Sequence, residues 1–480
     1  MAASTLKPAP ARVLAGRERG LLAMLVGLGL LLRLPTLDVQ SFWVDEAFTV
    51  DLLRGGLAEL GNTESTPPLY YALAWVWSQV AGDGEFGLRV LSALLGAATV
   101  PAVFAAGAAL GSRRVGLAAA ALATVNPLLV WYSQEARAYA LLLVLGTLSF
   151  AFFARALHEP RTRVLAGWAA ASALALLTHY FAVFLVFPEA FWLLARHRRK
   201  GVVGAIAVPA LAGVAVLPLA LHQRSQGLTP WTEVGSVAGR LVEVARNFVV
   251  GWEWTPFTGR VAAPVLAALA VAATTLLVAR GTGEERRRLV PAAAIAGAAA
   301  IGPLLLALVG TNYLNSRNLL CAWTPVALVV AGGLCVRAAP RAGAALGALL
   351  CLGSLAVVVA VPLHPGLQRD AWREVAEAIG PAPAARVVAV RPDSELRAGR
   401  LYVPRSTALP GAGVLTDELV VIGRASVRPE PPPSLPGGLR LVERRDVRNL
   451  EVASYRAPAP VRLTPAWVPG PSRALLQLPR

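Results

Sequence analysis

Lysine is nearly missing from this chain: only Lys7 and Lys200 occur in 480 residues, although Lys and Arg together number 45 and the formal net charge is +17. Its basic charge is almost all arginine, set in short clusters between apolar runs. That pattern is one of membrane topology signals, and it excludes the nucleic-acid partner that the net charge alone would suggest. Cysteine is scarce too. Cys321, Cys335 and Cys351 all lie in apolar stretches with no CxxC, so they read as small core residues and say nothing about redox compartment. Charged residues make up only 15% of the chain and hydrophobic residues 56%, whereas an average soluble domain is about a quarter charged. The composition points to a polytopic membrane protein.

Apolar runs of roughly membrane-spanning length fall near 20–36, 89–110, 115–132, 137–157, 164–178, 180–195, 203–220, 261–280, 289–309, 319–336 and 342–362. The first follows basic residues and ends at Arg33-Leu-Pro rather than at a small-residue cleavage site, so it reads as an uncleaved span. The expectation is about 11 spans. Arginine clusters test that count. Arg12, Arg17 and Arg19, then Arg113 with Arg114, Arg161 with Arg163, "RHRRK" at 196–200, "EERRR" at 284–288, and Arg337 with Arg341 alternate from a cytoplasmic N-terminus to an outer C-terminus. Most acids fall in the opposite loops. Counting "PPLYYALAWVWSQVAG", 67–82, as a further span would put every later cluster outside, so it reads as an interfacial helix opened by Pro67-Pro68. The expected organisation is a cytoplasmic tail (1–19), a membrane domain (20–364) whose first outer loop is 37–88, and an extracytoplasmic α/β domain (365–480). In the last, "RDAWREVAEAIG" reads as a helix, and "ARVVAV", "ELVVIG", "LRLVE" and "LEVASY" as strands. The fold class is therefore an all-α polytopic membrane protein with a small C-terminal α/β domain.

Three features then stand in order: the Asp-Glu pair of "SFWVDEAFTV" after span one, "PPLYY", and "LRVLSALLGAATVPAVFAAGAALGSRRVGLAAAALATVNPLLVWYSQEARAYAL". With "LTHYFAVFLVFPEAFWLLAR" and "YLNSRNLL", this order resembles the GT-C superfamily of polyprenyl-phosphate-dependent glycosyltransferases. Within it, the sequence is most similar to the bacterial membrane branch of protein O-mannosyltransferases and lipid A aminoarabinose transferases (glycosyltransferase family 39-like). The resemblance covers most of 20–340. It implies a bacterial plasma-membrane enzyme that takes a sugar from a polyprenyl phosphate and inverts the anomeric centre, with no nucleotide bound. It also implies a catalytic carboxylate in the first outer loop, a place that Asp45 fills with Glu46 beside it. Relatives often carry histidine before the double proline. Thr66 stands there in this chain, so that histidine's role does not transfer, and Glu64 two residues earlier is the candidate for part of its work.

The residues themselves support the same chemistry. Asp45, with Trp43, Val44 and Phe48 limiting water around it, suits a base for an incoming hydroxyl; the plainer alternative is that both acids favour a helix N-terminus. Arginine forks suit a departing phosphate, and Arg317, Arg137 and Arg89, with Arg224 behind them, lie where the topology places few cations. The plainer alternative is ion pairing, Arg137 with Glu135 or Arg89 with Glu85. Tyr70, Tyr71, His179 and Tyr180 are candidate substrate contacts. Glu189 lies within a span, where an ionisable group is functional by default. The aromatic stretch 231–257 reads as a lid or an interfacial anchor. No His/Cys/Asp cluster has ligand spacing, so no cofactor or metal is expected.

The expected partners are the lipid-linked donor, membrane lipids and an outer acceptor, whether glycan, lipid or protein. The main rival is a lipid or glycolipid flippase, which would place paired charges near mid-membrane rather than in outer loops. A ligase acting on lipid-linked oligosaccharides and a catalytically dead scaffold are further rivals.

Overall fold

The computed structural model describes residues 16–228, 236–251, 257–392, 395–424, 438–465 and 474–479. It divides into two compact units: one holds the residues up to Leu37 together with Gly55–Ala360, the other holds Asp38–Arg54 and Val361–Arg480.

The first unit is helical, and each of the eleven apolar runs contains a helix. In chain order these include α1 (Gly16–Leu31) and, after the α2 helix (Val44–Gly55) that belongs mostly to the other unit, α3 (Leu60–Thr63) and α4 (Leu69–Ala81). Then come α5 (Glu85–Leu110), α6 (Arg113–Val125), α7 (Pro127–Ser133), α8 (Tyr139–Ala156), α9 (Thr162–Thr178), α10 (Val183–His197) and α11 (Lys200–Ser225). The set is completed by α12 (Val237–Val250), α13 (Ala263–Arg280), α14 (Gly283–Leu308), α15 (Trp323–Leu334) and α16 (Pro340–Leu363). Among the described residues, six helices are long and apolar enough to cross a membrane, or seven if α6 and α7 form one bent span. The others fall short because a straight crossing takes about 20 residues: α9, α10 and α15 have 17, 15 and 12, and the described part of α1 has 16. The chain is a multi-pass membrane protein in which eleven helical runs do not mean eleven full-length spans. The segment 67–82 is the 13-residue helix α4, too short to cross, with Trp77 Nε1 donating to the Gly87 carbonyl at 2.8 Å.

The run 115–132 departs from a straight span, and the cause is visible in its residues. Asn126 caps α7, its side chain accepting from Leu129 N at 3.1 Å, and Pro127 occupies the first helical position. Proline has no N–H, so the chain bends by 60° there and the last carbonyls of α6 lose their helical donors. Arg33 supplies the missing donors. Fully buried, it gives Nη2 to Ala123 O (3.2 Å), Nη1 to Thr124 O (3.1 Å) and Gly29 O (3.0 Å), and Nε to Ser133 Oγ (3.1 Å). An arginine that would be costly in an apolar bundle here has every guanidinium nitrogen hydrogen-bonded, and each carbonyl it serves would otherwise cost about 1–3 kcal/mol. Small residues bring α5 and α6 together. A Cβ at Gly107 would stand 2.7 Å from Gly116 Cα, and one at Gly116 would stand 2.6 Å from Phe104 O.

Burial sorts the helices. The apolar window of α8 is 83% buried within the protein, whereas that of α11 is 11% and that of α13 and of α16 22%. The last three present Val and Leu outward, as lipid-facing spans do. Glu189 sits inside α10 but fully buried. One carboxylate oxygen accepts from Ser149 Oγ (2.6 Å) and Trp168 Nε1 (2.9 Å), and Ser149 also meets Ser172 Oγ at 2.8 Å, so this deep acid ties α8, α9 and α10 together.

The second unit is a six-stranded sheet with helices. Its strands are β1 (Arg386–Val390), β2 (Ser406–Ala408), β3 (Val414–Arg424), β4 (Arg440–Val447), β5 (Leu450–Leu463) and β6 (Leu475–Gln477), in the order β2-β6-β1-β3-β5-β4. Among the described residues only β1 and β3 pair in parallel, Val388 opposite Val420. All five residues of β1 are buried, as its unbroken apolar run dictates for a strand covered on both faces. One face packs α17 (Trp372–Ile379) and α18 (Leu396–Tyr402) through Trp372, Val375 and Ala398, and Ala47 of α2 belongs to the same core. Arg424 bridges Asp370 Oδ2 (3.2 Å) and Glu395 Oε1 (2.7 Å) beside these helices.

Candidate active site

In the first unit the candidate residues gather where α4, α8, α9 and the loop before α15 meet. Arg137, at the turn before α8, holds Glu64 through both terminal nitrogens, Nη1 to Oε1 and Nη2 to Oε2, the latter at 3.0 Å. Both side chains are buried, and the guanidinium lies 5.8 Å from the Tyr71 ring centroid. Glu64, 73 residues away in sequence, is thus a carboxylate that Arg137 grips with both terminal nitrogens. Thr66 donates to the Tyr71 hydroxyl at 3.3 Å, and burial, outweighing the Arg137 charge, pushes that phenol well above its usual pKa. Tyr70 is equally buried, its ring edge-on to Tyr71 at 5.5 Å and its hydroxyl 3.5 Å from Ser92 Oγ.

Arg317 stands in the loop after α14, half-buried, with Nη1 donating to the Tyr139 hydroxyl at 3.3 Å and its backbone N to Asn315 Oδ1 at 3.1 Å. Tyr139 is the hub of an aromatic row, with Tyr132 at 4.7 Å and His179 at 6.1 Å; His179 in turn meets Phe181 at 5.8 Å, and Phe181 meets Tyr313 at 5.3 Å. Tyr180 turns away from this row. Its hydroxyl donates to Gln223 Oε1 at 2.8 Å, and Gln223 Nε2 reaches Thr66 O at 3.2 Å. Arg89 is buried on α5, with Nη1 donating to Leu37 O at 2.6 Å. Arg224 is exposed near the end of α11.

His179 reports on the local field. Burial first, then the charges of Arg317 and Arg137, push its imidazole down to about 3. Its Nδ1 accepts from Phe181 N at 3.3 Å, which leaves the proton on Nε2 and makes this a neutral donor at physiological pH. The linkage sign follows. The unfolded chain takes up a proton at His179 near pH 6.5 and the folded protein only near 3, so this group lowers stability as pH falls from about 6.5 toward 3 and has no effect above about 7.5. Thermal unfolding of His179→Asn is therefore expected to fall less steeply than wild type over that acid range and to run parallel to it at pH 8. His179 is likewise expected to contribute no limb near pH 6.5 to an activity profile.

Asp45, Glu46 and Trp43 lie in the second unit. Asp45 and Glu46 occupy the first turn of α2, whose start is fixed by Ala47 N donating to Trp43 O at 2.9 Å. Glu46 is fully buried, while Asp45 and Trp43 keep partial exposure. A half-exposed carboxylate at a helix N-terminus is well placed to accept a hydrogen bond or proton from a visiting hydroxyl, whereas a fully buried one must move to do so. The stretch 231–257 lies partly outside the described residues; within it α12 forms, and Asn247 Nδ2 donates to Ser316 Oγ, next to Arg317, at 3.2 Å. Among the described residues no group of three or more His, Cys, Asp or Glu is arranged to hold a metal.

Sequence reasoning missed Tyr139, Tyr132 and Gln223. Tyr139 was signalled by its place two residues after Arg137, but it also opens the apolar run "YALLLVLG", which disguises it as core.

Residues 65–223 match the family model described as dolichyl-phosphate-mannose-protein mannosyltransferase. No curated protein matches the chain by sequence. Among solved structures, ArnT from Cupriavidus metallidurans in the apo state aligns over 92% of this chain and 98% of its own, at 14% identity and a TM-score of 0.56. The same protein bound to undecaprenyl phosphate aligns over 91% and 98%, at 15% identity and a TM-score of 0.54. The apo oligosaccharyltransferase of Archaeoglobus fulgidus aligns over 80% of this chain and 64% of its own, at 13% identity and 0.50. The GT-C resemblance therefore holds, by family model over 65–223 and by fold over nearly the whole chain.

Proposed function

We infer that the chain is an integral-membrane glycosyltransferase that moves one sugar from a polyprenyl-phosphate donor to an acceptor hydroxyl on the outer face of the membrane. The observation that carries this reading is the cationic and aromatic cluster of Arg317, Arg137, Tyr139 and His179, of which Arg137, Tyr139 and His179 lie within the stretch matched by the mannosyltransferase family model.

In this reading Asp45 takes the proton from the acceptor hydroxyl as its oxygen attacks the anomeric carbon. The bond from that carbon to the phosphate oxygen breaks, its electron pair leaves on the phosphate, and the anomeric centre inverts. Arg317 binds the departing phosphate most directly. Arg137 already gives two donors to Glu64, so it adds positive charge and holds the floor of the cluster. Arg89, tied to Leu37 O, supports the end of the first span. Tyr139 orients Arg317, and neutral His179 offers an Nε2–H donor. Glu46 orients Asp45 from a buried position, and Trp43 limits water beside it. Tyr70 and Tyr71 line the Arg137–Glu64 floor of the cluster.

Binding of undecaprenyl phosphate to the purified protein in lipid nanodiscs tests the phosphate assignment. Arg317→Ala is expected to weaken it about 10- to 100-fold, the worth of one or two hydrogen bonds to a charged group. Unchanged binding would remove Arg317 from the site. The flippase reading gains nothing from Glu189, whose carboxylate is held by Ser149 and Trp168 inside the bundle.

A further inference from the structure

The segment that carries Asp45 belongs, by its contacts, to the C-terminal domain. At its entrance, Gln40 Oε1 accepts from Arg369 N at 2.8 Å and Ser41 Oγ from Arg373 N at 3.0 Å, while Arg373 Nη2 donates to Asp38 O at 3.1 Å. Phe42 N donates to the Tyr402 hydroxyl at 2.6 Å, immediately before α2 begins. In the middle of α2, Ala47 has no exposed surface and packs in one core with Trp372, Val375 and Val388. Toward its end, Arg397 Nη1 reaches Asp51 Oδ2 at 3.3 Å, and the same guanidinium lies 4.2 Å from the Phe48 ring centroid. A helix turns by about 100° per residue, so Ala47 and Asp51 share one side of α2 and Asp45 lies about 160° around from Ala47. Holding that side fixes the rotation of α2, and the rotation decides where Asp45 points.

We propose that the C-terminal domain is a positioning device for the catalytic acid, with Tyr402 and Arg397 as its positioning residues: Tyr402 pins the entrance of α2 and Arg397 pins its far end. This rests on Asp45 being the base of the transfer reaction. Neither residue touches the reacting atoms. Each acts by keeping Asp45 at one orientation, and a displacement of about 1 Å can cost two orders of magnitude in rate.

The experiment uses the full chain in lipid nanodiscs with a labelled polyprenyl-phosphate sugar that the wild type turns over. It compares Tyr402→Phe, Arg397→Ala, Arg397→Lys and Asp45→Asn, with Arg462→Ala as a control that breaks the exposed bond from Arg462 Nη1 on β5 to Ala412 O. Arg397→Ala and Tyr402→Phe are expected to lower kcat about 10-fold or more with the donor KM within about twofold, and Arg397→Lys to recover most of the loss. Arg462→Ala is expected to match wild type. Amide hydrogen exchange over residues 42–53 is expected to quicken in Arg397→Ala and Tyr402→Phe while that of β3 stays slow. Wild-type kcat in both variants, an equal loss in Arg462→Ala, or unchanged exchange over 42–53 would each overturn the proposal. If Asp45→Asn transfers as well as wild type, the base assignment fails instead, and the exchange result alone decides whether the domain holds α2.

Discussion

Asp45→Asn is expected to lower kcat by a factor of roughly 10² or more while leaving undecaprenyl phosphate binding within about twofold. Asparagine keeps the size of the side chain and can still accept a hydrogen bond, so α2 and its packing through Ala47 should survive. In the proposed reaction, what it loses is the ability to take a proton as the acceptor oxygen attacks. The effect should therefore fall on the chemical step. Glu46→Gln should behave differently: that side chain is fully buried, so its replacement alters the support of α2 and should appear in thermal stability as well as in rate. Single-turnover transfer with a saturating donor checks both expectations. A variant in which kcat stays unchanged while donor affinity falls would assign Asp45 to binding.

Arg137→Ala is expected to be the most damaging single truncation for stability, at about 3–5 kcal/mol, because it leaves the Glu64 carboxylate buried without its counter-charge. The double variant Arg137→Met with Glu64→Gln should recover much of that loss, since it removes both charges and keeps the volume. The contrast separates structure from catalysis. If the double variant regains stability but not transfer, the pair contributes charge to the site as well as holding it. If Arg137→Ala unfolds no earlier than wild type, the pair is not the buried lock that its geometry describes. Thermal unfolding in detergent, followed for the three variants side by side, makes the comparison.

Much of the architecture was legible in the sequence because apolar runs and arginine clusters are local signals. The eleven runs all contain helices, the short helix α4 was separable from the spans, and four strands of the C-terminal sheet stood out, β1 and β3 by β-branched runs and β4 and β5 by short apolar-polar alternation. The break at Asn126-Pro127 was also written there, in a capping residue followed by a residue without an N–H, but an apolar window averages over it. What could not be read was anything set by tertiary pairing. Arg137 reaches Glu64 across 73 residues of sequence, and Arg33 found carbonyls some ninety residues away that only the bend exposes. The three-residue strands β2 and β6 carry too few residues to show a period. Most telling is Ala47. One alanine in a loop between apolar runs gives no hint that its segment completes the core of a domain more than three hundred residues later.

The most direct measurement is of the products formed by the wild-type protein. Purified enzyme in lipid nanodiscs, given a labelled sugar on undecaprenyl phosphate and an envelope glycolipid or glycoprotein extract, should transfer label to an acceptor and release one undecaprenyl phosphate per sugar moved, with inverted configuration at the new bond. Movement of the intact lipid-linked sugar between leaflets, with no release of lipid phosphate on any donor, would contradict the account and make the protein a transporter built on a transferase fold.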